Sequence, residues 1–321
     1  MKYIFVNKAR LLFALCCAFA VLTSSCIRED LDACPPRFQL TVKVLAPIGG
    51  GDATGSGELV TDASVYIFDE NDNLLKSVKM SREDIMSRRL IELDYPAGKK
   101  IKAIAWGNVG GGSQALTEGP SAQELKVSLL KSDTIATSPD KLFHGLDNYT
   151  IKLNEAEVRV DTIEIDLAVG AMSGSTMNLP QYIAANGLRS VEDNEYGLIL
   201  NKTLSVFNYD GTLAGDSVAY FPEGDFGIGT ETNQTEWMFG EEYDALLDND
   251  AIVAQQKLSV GFSVNGETIA VEFQDPRNGR TYYSAAKESV HYIVNFDGNG
   301  NYVGITAEVR PWGYVDGDIE W

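Results

Sequence analysis

Two histidines, four cysteines and 46 carboxylates are the side chains best equipped for chemistry in this 321-residue sequence. His144 lies in LFHGL and His291 in SVHYIV, each among apolar or aromatic neighbours at strand-like spacing. A histidine in that setting is a packed side chain unless a neighbouring motif supplies a nucleophile or an orienting carboxylate. No such motif accompanies them: there is no G-x-S-x-G, H-E-x-x-H or G-x-x-x-x-G-K-[ST] stretch, and no G-x-G-x-x-G between a strand and a helix. The glycine clusters at 49–51 and 110–112 read as loops. In DENDN (69–73), Asp69, Asn71 and Asn73 copy the first three ligand positions of a calcium loop. That loop also needs Gly at its sixth place and Glu at its twelfth, which here hold Leu74 and Met80. DENDN is therefore read as a hairpin turn, and DGNGN (297–301) in the same way. Paired carboxylates at catalytic separation would make a glycosidase, but nothing in the sequence brings two of them together. The expectation is a non-enzyme without metal or cofactor.

Cys26 is the exception, because its surroundings assign it a chemistry. A basic start (Lys2, Lys8, Arg10) precedes 12 apolar residues, Leu11 to Leu22, followed by Thr23-Ser24-Ser25-Cys26. That order is a secretory signal. A spanning helix needs about 20 apolar residues, so residues 1–25 are expected to be removed. Small residues leading to a cysteine resemble the lipobox of bacterial lipoproteins, with Leu22 standing one place earlier than usual. Cleavage would leave Cys26 to carry acyl chains, each buried CH₂ worth about 0.8 kcal/mol, and two chains suffice for stable anchoring. Cys16 and Cys17 leave with the signal and Cys34 is left unpaired, so neither a disulfide framework nor a thiolate metal site is expected. An ordinary secreted chain with a Cys26–Cys34 disulfide is the alternative. Loss of Lys2, Lys8 and Arg10 takes the net charge from −20 to −23. Such acidity opposes nucleic-acid binding, which needs cations to neutralise phosphates.

The elements that follow are almost all strands. Residues 26–34 read as a tether. FQLTVKVL (38–45) alternates apolar and polar side chains, the period of a half-buried strand. Residues 63–80 read as two strands around the DENDN turn. Ser81 and Asp84 stand at capping-box spacing ahead of a short helix, and strands are expected at 90–95 and 101–108. Residues 109–147 are ambiguous: Ser121 and Glu124 also have capping-box spacing, yet Leu125, Val127 and Leu129 alternate like a strand. EVRVDTIEIDLAV (157–169) reads as the crossing between domains, and strand patterns separated by Gly, Asn and Asp turns recur beyond it. Many short strands with almost no helix predict sandwiches. At about 100 to 200 residues per domain, the mature length fits two, at 35–157 and 158–321.

Taken in order, CIREDLDACPPRFQLTV, ASVYIFDENDNLL, IKAIAWGN, LFHGL and EVRPWGYVDGDIEW resemble the fimbrillin-associated anchor lipoproteins of Bacteroidales. The resemblance implies an all-β chain of two tandem transthyretin-like, Greek-key β-sandwich domains with few short helices. It implies no catalysis, attachment to the outer membrane through acyl chains on Cys26, and a fimbrial shaft subunit as partner, joined by strand complementation at the base of a fimbrium whose length the anchor limits. Arg28, Glu29 and Asp30 resemble the signal that sends such lipoproteins to the outer face of the cell. Thr134, Thr162 and Ser217 sit in Asp-Ser/Thr-apolar triplets that resemble the O-glycan sites of some Bacteroidota. Residues 302–321 combine alternation with a chain-end position, as a donated strand would, and equally fit the last strand of the second sandwich. A tip adhesin or glycan-binding lipoprotein on the same scaffold would expose aromatic rings in a cleft, among Trp106, Trp237, Trp312 and tyrosines. A carbohydrate-active enzyme would need the facing carboxylates described above.

Overall fold

A computed structural model of the protein describes residues 37–56, 58–96, 98–151, 160–191, 193–221, 235–238, 259–277, 279 and 288–311. In the first half of the chain the strands are β1 (Arg37–Val44), β2 (Asp62–Asp69), β3 (Leu74–Ser81), β4 (Ile91–Asp94), β5 (Lys100–Gly107), β6 (Gln114–Thr117), β7 (Lys126–Leu129), β8 (Lys131–Ser132), β9 (Ile135–Ala136) and β10 (Phe143–Thr150). There follow β11 (Val160–Leu167), β12 (Val169–Met177), β13 (Tyr196–Asn208), β14 (Leu213–Tyr220), β15 (Thr235–Met238), β16 (Ser259–Val264), β17 (Glu267–Glu272), β18 (Glu288–Phe296) and β19 (Tyr302–Pro311). Two short α-helices interrupt them among the described residues, α1 (Arg82–Met86) and α2 (Leu179–Ala185).

The first unit is a seven-stranded sheet in the order β3-β2-β5-β10-β11-β1-β4. Strand β11 folds it into two layers: residues 160–165 run parallel to β1, and residues 166–167 turn to pair with β10. The core between the layers follows from the period-2 pattern. Phe38, Leu40, Val42 and Val44 on β1 face Val65 and Ile67 on β2 and Ala103 and Ala105 on β5, all buried. Pairing thus carries the first sheet past residue 158 to Leu167, and the chain leaves it within the 157–169 stretch. The second unit is a sandwich of β15-β12-β18-β19 against β17-β16-β13-β14-β9-β8. Its sheets meet where Phe262 on β16 touches Phe296 on β18, ring centroids 6.1 Å apart.

The units share strands as well as a border. The excursion between β5 and β10 carries β6 to β9 into the second unit's sheet, where β7 pairs with β13 and β9 with β14. Beneath it lies the outward face of the first sheet, which is also buried. Ser64 and Tyr66 on β2, Ile104 and Trp106 on β5, and His144 on β10 occupy that face by alternation and cross-strand pairing. Trp106, fully buried, packs against His144 at 4.5 Å and edge-on to Phe207 of β13 at 5.5 Å.

One turn recurs three times among the described residues. In Asp69–Asn73, Asn208–Thr212 and Asp297–Asn301 the first residue's N–H donates to the fifth residue's carbonyl, at 2.9, 2.8 and 2.9 Å. The fourth residue is left-handed each time: Asp72 at φ 61°, Gly211 at 87° and Gly300 at 81°. In the outer two turns the leading aspartate also accepts the N–H groups of the third and fifth residues. These carboxylates are therefore consumed in closing their own hairpins, β2–β3 and β18–β19, as read for DENDN and DGNGN.

Candidate partner-binding cleft

Between the two units lies a cleft of about 600 Å³. Its walls come from the start of β2 (Asp62, Ser64), the end of β3 (Lys79, Met80), the glycine loop 109–111 and strand β6. Asp62 fixes one end, its Oδ1 accepting the N–H groups of Val109 and Gly110, each at 3.2 Å. Glu118 bridges the other: its carboxylate accepts the Tyr66 hydroxyl at 2.8 Å and pairs with Lys79 at 3.3 Å. The Tyr66 bond, then Lys79, hold the Glu118 carboxyl below its ordinary pKa, while burial and Glu118 push the Tyr66 phenol up. At neutral pH the pair is a phenol donating to a carboxylate. Gln114, 4% exposed, donates from Nε2 to the Asn108 carbonyl at 2.8 Å. Its Oε1 is buried with no hydrogen-bond partner.

Strand β6 borders the cleft with an open edge. Among the described residues it pairs with β7 alone. The Leu130 N–H to Ser113 carbonyl bond sets the phase of that ladder. Antiparallel pairs alternate between bonded and non-bonded, so Ala115 and Thr117 bond to β7 while Gln114 and Leu116 turn their N–H and C=O groups outward. Sequence patterning missed this site. Gln114 and Leu116 lie in the stretch read as mixed, and only the fold brings β6 beside β3.

The residues singled out from sequence are dispersed. Cys26, Arg28, Glu29, Asp30 and Cys34 lie outside the described residues, as do 312–321. Thr134 stands exposed in the β8–β9 turn and Ser217 exposed on β14; the Thr134 carbonyl accepts the Ala219 N–H at 2.8 Å, so these two triplets are neighbours. Thr162 is half-buried on β11 in the other unit. The histidines are apart and engaged. His144 Nε2 meets the Tyr209 carbonyl at 2.9 Å, and burial depresses its pKa to about 4. His291, buried, contacts Ser173 Oγ through Nδ1 and Ser175 Oγ through Nε2, both at 2.8 Å. Trp106 exposes no ring to a glycan. Residues 302–311 form β19, an edge strand on β18. No group of three or more metal-ligating side chains occurs among the described residues. Within the same residues, no helix is long and apolar enough to cross a membrane.

A family model for fimbrillin-A associated anchor proteins Mfa1 and Mfa2 matches residues 31–318. The chain belongs to that family. This fimbrillin-A associated anchor protein is 27% identical over 210 residues to the major fimbrium anchoring subunit FimB of Porphyromonas gingivalis, an overlap covering 64% of this chain and 67% of the relative. Its fold is that of the fimbrial anchor protein Mfa2 from Porphyromonas gingivalis, at TM-score 0.58 and 14% identity, covering 87% of this chain and 98% of the other. A candidate polysaccharide-binding protein of Bacteroides thetaiotaomicron shares it at TM-score 0.61 and 15% identity, covering 86% and 98%. These likenesses show that the anchor protein shares their all-β fold.

Proposed function

We propose that this protein fixes the base of a fimbrium to the outer membrane and limits the length of its shaft. Membership of the anchor family over residues 31–318 carries the reading. The part played at each end follows from physical chemistry. At one end, acyl chains on Cys26 hold the mature chain on the membrane without a protein span, and Arg28, Glu29 and Asp30 direct it to the outer face. At the other, an open strand edge pairs with an extended segment of a shaft subunit, main-chain bonds giving affinity and alternate side chains specificity. A subunit that ends in lipid presents no further site for growth there, so the shaft stops. No catalytic step is involved, and nucleic acid is not a partner of so acidic a chain. Thr134 and Ser217, both exposed, are the triplet residues open to glycan attachment; Thr162 is half-buried.

Deletion of the gene tests the reading. Longer fimbriae and a larger shed fraction in the medium are expected, and unchanged length and retention would overturn it. Cys26→Ala tests the attachment alone: acyl labelling and membrane fractionation should both disappear, and their persistence would refute lipidation at Cys26.

A further inference from the structure

The side chains lining the cleft can accept more hydrogen bonds than the protein supplies. Gln114, 4% exposed, spends its Nε2 on the Asn108 carbonyl, and its buried Oε1 has no partner. A buried acceptor without a donor is costly. Glu118 takes the Tyr66 hydroxyl and Lys79 on one oxygen, Oε1, so its Oε2 has no partner among the described residues. Asp62 is half-committed. Its Oδ1 accepts two backbone N–H groups, while Oδ2 meets only the Thr61 hydroxyl at 3.3 Å, which has Asn108 Oδ1 nearer at 3.2 Å. The acceptors are spread along the cleft, Asp62 at one end and Glu118 at the other. From Gln114 to Glu118 the chain advances four residues, about 13 Å at the rise of a strand. A single cation would need them together, whereas a row of hydroxyls meets them one at a time. The wall is set in advance: a Cβ at Gly111 would collide with the Asp140 carboxylate, which holds the loop by accepting the Ser113 N–H at 3.3 Å.

We infer that the cleft binds a neutral oligosaccharide, about two sugar rings of it, through hydrogen bonds to its hydroxyls. Its volume of about 600 Å³ lies in the usual range of small-molecule sites. A hydroxyl both donates and accepts, so it answers Gln114 Oε1 and Glu118 Oε2 as well as the Lys79 ammonium and the outward N–H groups of β6. Asp62 and Glu118 outnumber Lys79, which disfavours a ligand carrying carboxylate or phosphate. No aromatic residue lines the cleft. Half-buried Val109 and Leu116 are left to cover the apolar edges of the rings, so the binding is weak and its specificity polar. The site does not rest on the anchor reading.

The full-length lipoprotein, held in a detergent without a sugar headgroup, should bind at least one of maltose, cellobiose and lactose by saturation-transfer NMR. It should bind 3′-sialyllactose no better than lactose. Gln114→Met removes the unpartnered oxygen and should weaken the binding about tenfold, as for one lost hydrogen bond. That variant also loses the bond to Asn108. Ala115→Trp, which narrows the cleft from an exposed position, is therefore the second variant should the first melt below the wild type, and it should abolish the binding. Failure of the wild type to bind any of the three neutral disaccharides would overturn the site. So would binding that a folded variant leaves unchanged, or a preference for the sialylated sugar. Benzoylphenylalanine at Ala115 that photocross-links to a shaft-subunit polypeptide in fimbriated cells would show the cleft filled by protein, and would overturn it too. None of these outcomes bears on the anchor reading, which fimbrial retention after gene deletion tests separately.

Discussion

Gly300 has no room for a side chain. A Cβ there would come within 2.4 Å of the Gln181 carbonyl oxygen and 2.8 Å of Ala185 Cβ, at a φ of 81°. The β18–β19 turn is thus seated directly on α2. Gly300→Ala should cost at least about 2 kcal/mol, strain and clash together, seen as a lower denaturation midpoint. Gly298→Ala, with nothing within 4 Å of its Cβ, should be close to neutral. His144 gives a pH signature. Its folded pKa, about 4, lies below the ordinary value of 6.5 because burial disfavours the imidazolium. The unfolded chain therefore binds more protons between pH 4 and 6.5, and stability rises with pH across that window by up to about 3 kcal/mol. Asp52 and Asp275, both lowered to about 2, lose their contributions only as pH falls through roughly 4 to 2. Denaturant midpoints at pH 4.5 and 7 should differ for the wild type, and His144→Gln should narrow that difference. An unchanged gap would refute the assignment. At this scale the sequence was informative. Asp-x-Asn turns and histidines among apolar neighbours announce local hydrogen bonding and packing, whereas the contact between Gly300 and α2 joins residues far apart in the chain and leaves no trace in composition.

Elements were legible where the signal is local. The Ser81–Asp84 capping box is formed in both directions, Ser81 N–H to the Asp84 carboxylate at 3.1 Å and Asp84 N–H to Ser81 Oγ at 3.3 Å, and it starts α1 where the spacing predicted a helix. At Ser121 and Glu124 the same spacing yields a 3-10 turn without a side-chain cap, and the alternation of Leu125, Val127 and Leu129 prevails as β7. Helix α2 was not foreseen; Pro180 in its first turn is the one signal available, weakened by a left-handed Asn178 at its cap. Strand β19 depends on an element that sequence does not advertise. Asp275, 2% exposed, accepts the Ala307 N–H at 3.0 Å and a bidentate contact from Arg277, whose Nη2 also donates to the Ala307 carbonyl. Asp275→Ala should cost about 2 kcal/mol, by the usual value of a charged hydrogen bond. Its amide exchange should quicken in β19 before the core of β18. Equal acceleration throughout would contradict a local role.

For the whole molecule, alternation foretold the sandwiches but not how they interlock. Nothing in residues 114–136 says that β7 will pair with Val206–Asn208 or β9 with Ala219, because such pairings are properties of the fold and not of either segment. The interlocking should make unfolding cooperative. The described units share a sheet and an aromatic junction of Trp106, His144 and Phe207, so calorimetry should show them melting in one transition rather than two. Phe207→Ala should lower that transition by about 3 kcal/mol of stability, as for other large aromatic deletions in cores. Two resolved wild-type transitions would show the units to be independent.

Strand β1 enters its sheet from the N-terminal side with a neighbour on each flank, parallel β11 and antiparallel β4. A tug on the chain ahead of Arg37, directed along the strand, would strain the rungs on both flanks together, in shear, instead of peeling them one at a time. If Cys26 is lipidated as proposed, a load between that lipid and a filament would therefore meet the sheet in its mechanically resistant direction.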